Sequence, residues 1–381
     1  MSNNKVELLS PAGNLEKLKI AIKYGADAVY AGVSHFSLRI RAGKEFTFET
    51  FKEGIDYAHA RGKKVYATIN GFPFNSQIEL LKKHIATMAA LKPDGFIVAA
   101  PGVVKLCREI APEIDIHLST QANVLNYLDA QVYWDMGVKR IVVAREISLK
   151  DVVEIKKHLP DMEIEIFVHG SMCFAYSGRC LVSAVQMGRV PNRGSCANDC
   201  RFQYTLYAAN EDHGTLFRLE EEPGVGTYIF NSKDMNLASH IKEILDSGAV
   251  DSLKIEGRTK SPYYAAVTAK AYRNAIDDYY AGKFEPSLYQ KELYTTKNRG
   301  FTDAYLIHRP FEKTDSQNHD YALSKGSFEV TGLVTEDEEH FLCKYKVYPN
   351  EDIEIFTPND EILEECENEI GKIFKKEDGL Y

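Results

Sequence analysis

A (β/α)8 barrel of the TIM type, carrying a cysteine-rich insertion after its seventh strand and a small β module behind it, is the fold class this sequence predicts. Three observations predict it. Short apolar runs alternate eight times with amphipathic helical patterns within about 280 residues. One alternation is broken by about 65 residues, far beyond an ordinary βα connection. Past residue 305 the helical period gives way to short alternating runs.

The first strand is expected at residues 6–9, after which Ser10, Pro11, Ala12 and Gly13 turn the chain and Asn14 caps a helix. Strands at 28–31, 64–69, 95–99, 114–118, 140–144 and 163–168 follow. Helices between them are expected at 48–60, 78–91, 103–110, 124–136 and 149–158. Arg61 and Gly62 end the first of these. The broken unit closes with a helix at 237–246, and the eighth strand, 252–255, leads into a long helix at 263–280. An open doubly wound sheet with extra strands is the alternative. The expected organisation is a barrel over 1–305 with its insertion at about 170–236, a polar linker over 306–325, and a β-barrel-like module over 326–381. That module has strand patterns at 327–334, 341–347 and 352–356, then an acidic, weakly patterned end, and reads as incomplete.

The chain has 381 residues, 46 Lys and Arg against 55 Asp and Glu, and 44% hydrophobic residues. Such a chain can bury a large core, which excludes a disordered tail protein and a disulfide-stapled miniprotein. No apolar run reaches the ~18–20 residues that span a bilayer, so no membrane role is expected. The N-terminus lacks a basic segment followed by an apolar one, so the protein is expected in the cytoplasm. Its seven cysteines are then expected to be metal ligands, catalytic groups or buried thiols rather than disulfides. The net charge of −9 argues against wholesale coating of nucleic acid but allows a local basic patch.

Four cysteines, Cys173, Cys180, Cys196 and Cys200, fall within 28 residues of the insertion with the spacing C-x6-C-x15-C-x3-C. In a reducing compartment four thiolates so placed can close around a metal centre. Zinc favours paired knuckles, and only Cys196 and Cys200 have that spacing. The wide first pair, with Gly178 and Gly194 nearby, suits a 4Fe-4S cubane at least as well. Four unrelated free thiols are the plain alternative. Cys107, Cys343 and Cys366 are isolated and receive no role.

The insertion also holds Arg179, Arg189, Arg193 and Arg201 against one acid, Asp199, with Phe174, Tyr176, Phe202 and Tyr204 interleaved. Cations beside aromatics suit an unstacked base and its phosphates, which makes Arg179, Arg193, Arg201 and Tyr176 candidate substrate contacts. A solvated loop with ordinary packing aromatics is the equal alternative. Strand ends on the C-terminal face of a barrel tend to carry catalytic groups. Candidates there are Glu7, Asn70, Gln121, Arg145, Glu146, His169, Lys254, Glu256 and Arg258. His169 could donate a proton, touch substrate or be a satisfied core histidine. Glu256 and Arg258 could hold an anionic small molecule or pair with each other. No GxSxG, HExxH, P-loop or dinucleotide fingerprint is present, so no recognisable peptidase machinery is offered.

The stretch 165–183, with Glu165, Phe167, Gly170, Ser171, Met172, Cys173, Cys180 and Ser183, resembles the signature of the peptidase U-32 family. The opening Glu7-Leu-Leu-Ser-Pro-Ala-Gly13 matches that family's start. Gly25-Ala-Asp-Ala-Val-Tyr-Ala-Gly32, Asn192-Arg-Gly194, Asn231-Ser-Lys-Asp234 and Ser252-Leu-Lys-Ile-Glu-Gly-Arg258 are similar to it too. The resemblance runs from about residue 5 to 282, and more loosely beyond. It implies one of two activities. The family was named for collagenase-like proteases whose catalytic residues were never clear. Several bacterial members instead support oxygen-independent hydroxylation of the tRNA wobble uridine, of a ribosomal cytidine or of ubiquinone precursors. Those members carry a cysteine-bound 4Fe-4S cluster, and the tRNA branch takes its hydroxyl from prephenate. By size and by its C-terminal module this chain is most similar to the tRNA branch. Carried over residue by residue, the resemblance implies a cluster on Cys173, Cys180, Cys196 and Cys200. Many relatives have a further cysteine where this chain has Asn236, so the fourth ligand is the one departure.

The leading expectation is therefore an iron–sulfur enzyme hydroxylating the tRNA wobble uridine. Its partners would be tRNA and a small anionic donor such as prephenate, and His169, Glu256 and Arg258 its acting side chains. A peptidase is the first alternative, and a non-catalytic RNA-binding scaffold with a structural metal the second.

Overall fold

The computed structural model describes residues 5–33, 36–38, 46–210, 214–218, 230–308, 316–318, 323–324, 326, 330, 332–334, 341–343 and 356–358. The strands are β1 (Glu7–Pro11), β2 (Ala28–Ala31), β3 (Lys64–Ile69), β4 (Gly95–Val98), β5 (Asp115–Leu118), β6 (Arg140–Val142) and β7 (Glu163–Ser171). They continue with β8 (Tyr207–Asn210), β9 (Thr215–Arg218), β10 (Asp234–Asn236), β11 (Ser252–Ile255), β12 (Phe301–Thr302), β13 (Gly332–Val334) and β14 (Phe341–Cys343). The helices are α1 (Leu15–Lys23), α2 (Phe48–His59), α3 (Ile78–Ala90), α4 (Pro101–Ile110), α5 (Tyr127–Asp135) and α6 (Leu149–His158). After them come α7 (Val182–Met187), α8 (Ile241–Asp246), α9 (Pro262–Tyr280) and α10 (Pro286–Leu293).

Strands β1 to β7 and β11 pair in parallel, each with the next, and β11 pairs with both β7 and β1. The sheet is thus closed into an eight-stranded parallel barrel, which bears out the expected class and sets aside the open sheet. Side-chain caps start the helices where the sequence placed them: Asn14 for α1, Thr47 for α2, Ser148 for α6 and Ser261 for α9. The helix expected at 124–136 starts later, because Asn126 accepts from the Asp129 N–H and caps α5 there. The helix expected at 237–246 opens as a 3-10 turn, Ala238–His240, before α8. Among the described residues no helix is long and apolar enough to cross a membrane.

The main apolar core lies between the strands and the helix ring, with Leu18, Phe51, Ile85, Val104, Ile155 and Ile276 among its buried members. The barrel lumen is different. It holds a small separate cluster of Leu9, Ala28, Tyr30, Tyr66 and Ile97. Below it lies a charged layer. Arg140 on β6 reaches Glu7 on β1 and Glu165 on β7, while Lys254 on β11 reaches Glu165 at 2.7 Å. Tyr66 on β3 donates to Glu7 at 2.7 Å, and Ser252 donates to it at 3.0 Å. Strands β6 and β1 are not neighbours, so the Arg140–Glu7 contact crosses the lumen. Burial opposes the charge on Arg140, but Glu7 and Glu165 outweigh it and raise its pKa. Burial also opposes the Glu7 carboxylate, and Arg140 reverses that and holds its pKa below the usual carboxylate range. Glu7 is the first residue of β1, so it stands at the end of the barrel opposite the C-terminal face where it was expected. Buried His117 packs on Tyr66 with ring centroids 4.4 Å apart. Burial, with the charges of Arg140 and Lys254, keeps its imidazole neutral.

The expected linker and module fall mostly outside the described residues. Several of those described bond to the barrel, Ser324 among them, whose N–H donates to the Asn298 carbonyl at 2.6 Å. The backbone of Ser316 and Asn318 bonds to Lys233 and Asn231. The Phe356 ring stacks on Tyr24, centroids 5.3 Å apart, and its carbonyl accepts from the Tyr24 hydroxyl. Strands β13 and β14 form an antiparallel pair in two of the stretches expected as strands. The third, 352–356, is described only at Phe356.

Removing one partner of a buried ion pair leaves uncompensated charge. Arg140→Met is therefore expected to lose about 3–5 kcal/mol of unfolding free energy, with part of the loss recovered in the Glu7→Gln/Arg140→Met double variant. Urea unfolding checks this, and an unshifted midpoint for Arg140→Met would contradict the account of the lumen.

Candidate active site at the barrel mouth

Strand β7 is nine residues long and runs past the rim. Its pairing with β11 slips one residue between Lys254 and Ile255, a bulge that turns the strand's last residues upward. There β10 pairs with it antiparallel, Asp234 opposite Ser171 and Asn236 opposite His169, and β12 adds to β10. Gly170 has φ +109°, and a Cβ on it would lie 2.4 Å from the Glu256 carbonyl oxygen. Only glycine lets β7 and the end of β11 approach so closely.

The insertion leaves from this extension and is fixed over three βα loops. The Ser177 N–H donates to Glu146 at 2.8 Å and the Ser177 hydroxyl accepts from the Arg145 N–H at 3.2 Å. Gly178, at φ +70°, presses on the Gln121 backbone, which a Cβ would meet at 2.7 Å. Arg193 donates to Gln77 at 2.9 Å and lies over the Phe74 ring. The insertion thus stands on the C-terminal face, as expected.

Its four cysteines share one electrostatic neighbourhood. Cys180 feels the charge of Cys173 and Cys196, and so does Cys200. Burial raises both thiol pKa values, opposed at Cys180 by a hydrogen bond from Val182 and at Cys200 by Arg201. The left-handed Asn198, φ +62°, folds its N–H back to Cys196 Sγ at 3.4 Å. Ser183 stands 3.9 Å from the same sulfur and accepts from the Ala197 N–H. Among the described residues no three Cys, His, Asp or Glu side chains are gathered tightly enough for a single ion. Asp199, between Cys196 and Cys200, is buried with neither carboxylate oxygen hydrogen-bonded.

The expected acting residues sit beside the root of the insertion. The Glu256 N–H donates to the His169 carbonyl at 2.9 Å. The Glu256 carboxylate pairs with Arg145 at 3.4 Å. Arg258 donates to Ser37 at 2.8 Å, to Thr68 at 3.2 Å and to the Leu38 carbonyl. His169 is 1% exposed, boxed by Tyr264, Tyr272 and Phe301. Burial pushes its pKa down to about 3, so its imidazole is neutral at neutral pH. Asn236, the position of the departure, is engaged on the helix side. It donates to Gln290 at 2.7 Å and accepts from Tyr272 and the Ala238 N–H.

The expected substrate contacts are anchored to different elements. Arg179 lies in the field of Tyr133 on α5, Arg193 is held by Gln77, and Tyr176 is 47% exposed beside exposed Phe174 and Phe202. Arg201 faces inward instead, toward a group the residue patterns did not single out. Asp234 accepts from Arg299 Nε at 3.1 Å, from its Nη2 and from its backbone N–H at 3.2 Å. Arg201 and Lys260 lie in the fields of both Asp234 and Arg299. The clue available was Asp234 itself, at the end of the Asn-Ser-Lys-Asp run. Nothing local marked Arg299 or Lys260.

A closed parallel barrel with a four-cysteine loop on its C-terminal face defines the class: a (β/α)8 barrel protein whose mouth is covered by a cysteine-rich insertion. The sequence model for peptidase family U32 matches residues 13–316, and the chain belongs to that family. It is 67% identical over 378 residues to the "tRNA hydroxylation protein P" of Helicobacter pylori strain 26695, covering 99% of this chain and 90% of that protein. It is 40% identical to the protein of that name in Escherichia coli K12, covering 97% and 90%. It is 34% identical to the "23S rRNA 5-hydroxycytidine C2501 synthase" of the same bacterium, over 73% of this chain and 40% of that one.

A histidine held neutral binds its proton only in the unfolded chain between about pH 6.5 and pH 3, so stability falls as pH is lowered through that window. His169→Gln is expected to flatten this fall by up to about 1.4 kcal/mol per pH unit. Urea unfolding across that pH range checks it, and an identical slope in both proteins would refute the neutral buried state.

Proposed function

We propose that this protein is an iron–sulfur enzyme that hydroxylates the wobble uridine of tRNA without oxygen, taking the hydroxyl group from prephenate. The observation that carries the reading is the 67% identity, across 99% of the chain, to a tRNA hydroxylation protein. The more distant kinship to a 5-hydroxycytidine synthase supports RNA hydroxylation as the wider class.

The donor chemistry at the mouth supports the cofactor. Cys173, Cys180, Cys196 and Cys200 would hold a 4Fe-4S cluster. Four thiols on one loop, sharing one electrostatic neighbourhood, are the donor set a cysteine-bound cubane uses. The cluster would supply electron transfer or a Lewis-acidic iron. The chain's own groups do the remainder. The Asn198 N–H donates to Cys196 Sγ and fixes where that sulfur points. Exposed Phe174, Tyr176 and Phe202, with Arg179 and Arg193 on the same insertion, offer stacking faces and cations to an unstacked base and its phosphates. Glu256 and Arg258 line the rim where an anionic donor and its protons would be handled, with Arg145 setting the Glu256 carboxylate. Neutral His169 offers a hydrogen bond rather than a positive charge. The peptidase reading gains no comparable support: among the described residues no cysteine sulfur is hydrogen-bonded to a histidine, as a thiol protease would need.

Two measurements test the proposal. In a strain lacking this protein and any second route, mass spectrometry should find 5-hydroxyuridine derivatives gone from tRNA, restored by the wild type and not by Cys173→Ser. Protein purified without air should bind about four irons per chain and absorb near roughly 400 nm. Unchanged 5-hydroxyuridine in that strain would overturn the function, and iron-free active protein would overturn the cofactor.

A further inference from the structure

The insertion crosses the mouth. It leaves from β7, and its Arg193 lands on the loop after β3. In the ring of strands β3 stands four places from β7, on the opposite side of the barrel. At this landing Phe74 precedes a 3-10 turn, Asn75–Gln77, and Gln77 Oε1 accepts from the Phe74 N–H at 3.0 Å. The same oxygen accepts from Arg193 Nη2 at 2.9 Å. That one amide places the Arg193 guanidinium over the Phe74 ring, 3.9 Å from its centre. The Phe72 N–H reaches the Asn192 carbonyl at 3.5 Å, so the two backbones are joined as well. At the foot of the loop the Gly71 N–H donates to the Phe36 carbonyl at 2.7 Å.

Phe74 is nevertheless 59% exposed. Keeping a phenyl ring in water is unfavourable, yet two segments of chain hold this one in place at the rim. Among the described residues Arg193 pairs with no carboxylate. The ring therefore has a fixed cation behind it and much of its surface turned to solvent. We infer that Phe74, backed by Arg193, is a stacking platform for an unpaired base of the RNA substrate, one that flanks the base being modified. Every base offers a π face to an aromatic ring, and an arginine beside the ring adds its charge for the adjoining phosphate. The side of the mouth decides which base is held. His169 and Glu256 stand at β7 and at the end of β11, and Phe74 stands on the opposite rim. A base stacked here lies away from those groups, so the platform positions the strand and takes no part in the chemistry. This inference rests on the proposed function for its RNA substrate.

The test uses cluster-loaded protein in which Trp134, the chain's one tryptophan, is changed to phenylalanine. Phe74→Trp then supplies a single fluorescent reporter at the platform, and Leu288→Trp, at a 58% exposed position of α10, supplies a reference. A tRNA with a wobble uridine should quench the Phe74→Trp emission and leave the reference emission unchanged. Heparin, a polyanion without bases, should quench neither. With Trp134 retained, Phe74→Ala should weaken tRNA binding about tenfold, while Phe74→Tyr and Leu288→Ala should match the wild type. In hydroxylation assays Phe74→Ala should raise KM and leave kcat unchanged. Melting temperature and iron content identify a variant that has lost its fold or cluster, and for such a variant the quenching decides. Binding of tRNA without quenching of Phe74→Trp, equal quenching by heparin, or an affinity unchanged in Phe74→Ala would each overturn the platform and leave the proposed function intact. A fall in kcat at unchanged KM would overturn the flanking assignment. Quenching by tRNA together with unchanged 5-hydroxyuridine in the deletion strain would keep the platform and remove the proposed function. Wild-type protein that binds no tRNA would overturn both.

Discussion

The geometry of the mouth depends on one hydrogen-bonded feature, the continuation of β7 beyond the barrel rim. Inside the barrel β7 bonds to β6 and β11. Past the bulge it bonds to β10 instead. That change of partner sets the root of the insertion, stations Asp234 opposite Ser171, and presents His169 to Tyr264, Tyr272 and Phe301. Gly170 is what the change requires, because the Glu256 carbonyl occupies the space a side chain would take. The root of the cysteine loop and the Asp234–Arg299 pair are both placed by this short stretch of sheet.

The barrel beneath is stiffened by an uncommon interior. Many such lumens are filled with branched aliphatic layers. Here one layer is built from Glu7, Arg140, Glu165 and Lys254, with Tyr66 and Ser252 completing the hydrogen bonds. The arrangement joins four strands through directional contacts, so register errors would strand charge in the interior. Its benefit therefore lies in specifying one closure of the barrel, since buried ion pairs give little net stability over apolar packing.

Much of this was legible in the residue order. Eight βα alternations are a local signal, repeated often enough to define the barrel, and the capping residue Asn14 sits where short-range hydrogen bonding requires it. The cysteine loop was legible because its four thiols fall within 28 residues of one another. What escaped was whatever depends on distant segments meeting. Strand β12 is two residues long and β10 three, too short to show a period. Arg299 gains its meaning from Asp234, 65 positions earlier, and Lys260 from the turn that brings it to the same place. Glu7 was misplaced for a related reason: an acid within the first strand reads as a residue of the C-terminal rim, and only the lumen-crossing contact with Arg140 reveals it as part of the charged interior layer.

The insertion's neck is stitched shut, since the chain departs at Ser171 and comes back at its sheet neighbour Asp234. A loop sealed at its base behaves as a cassette. Lineages could lengthen, shorten or re-sculpt what lies between those two residues while the scaffold below stayed put.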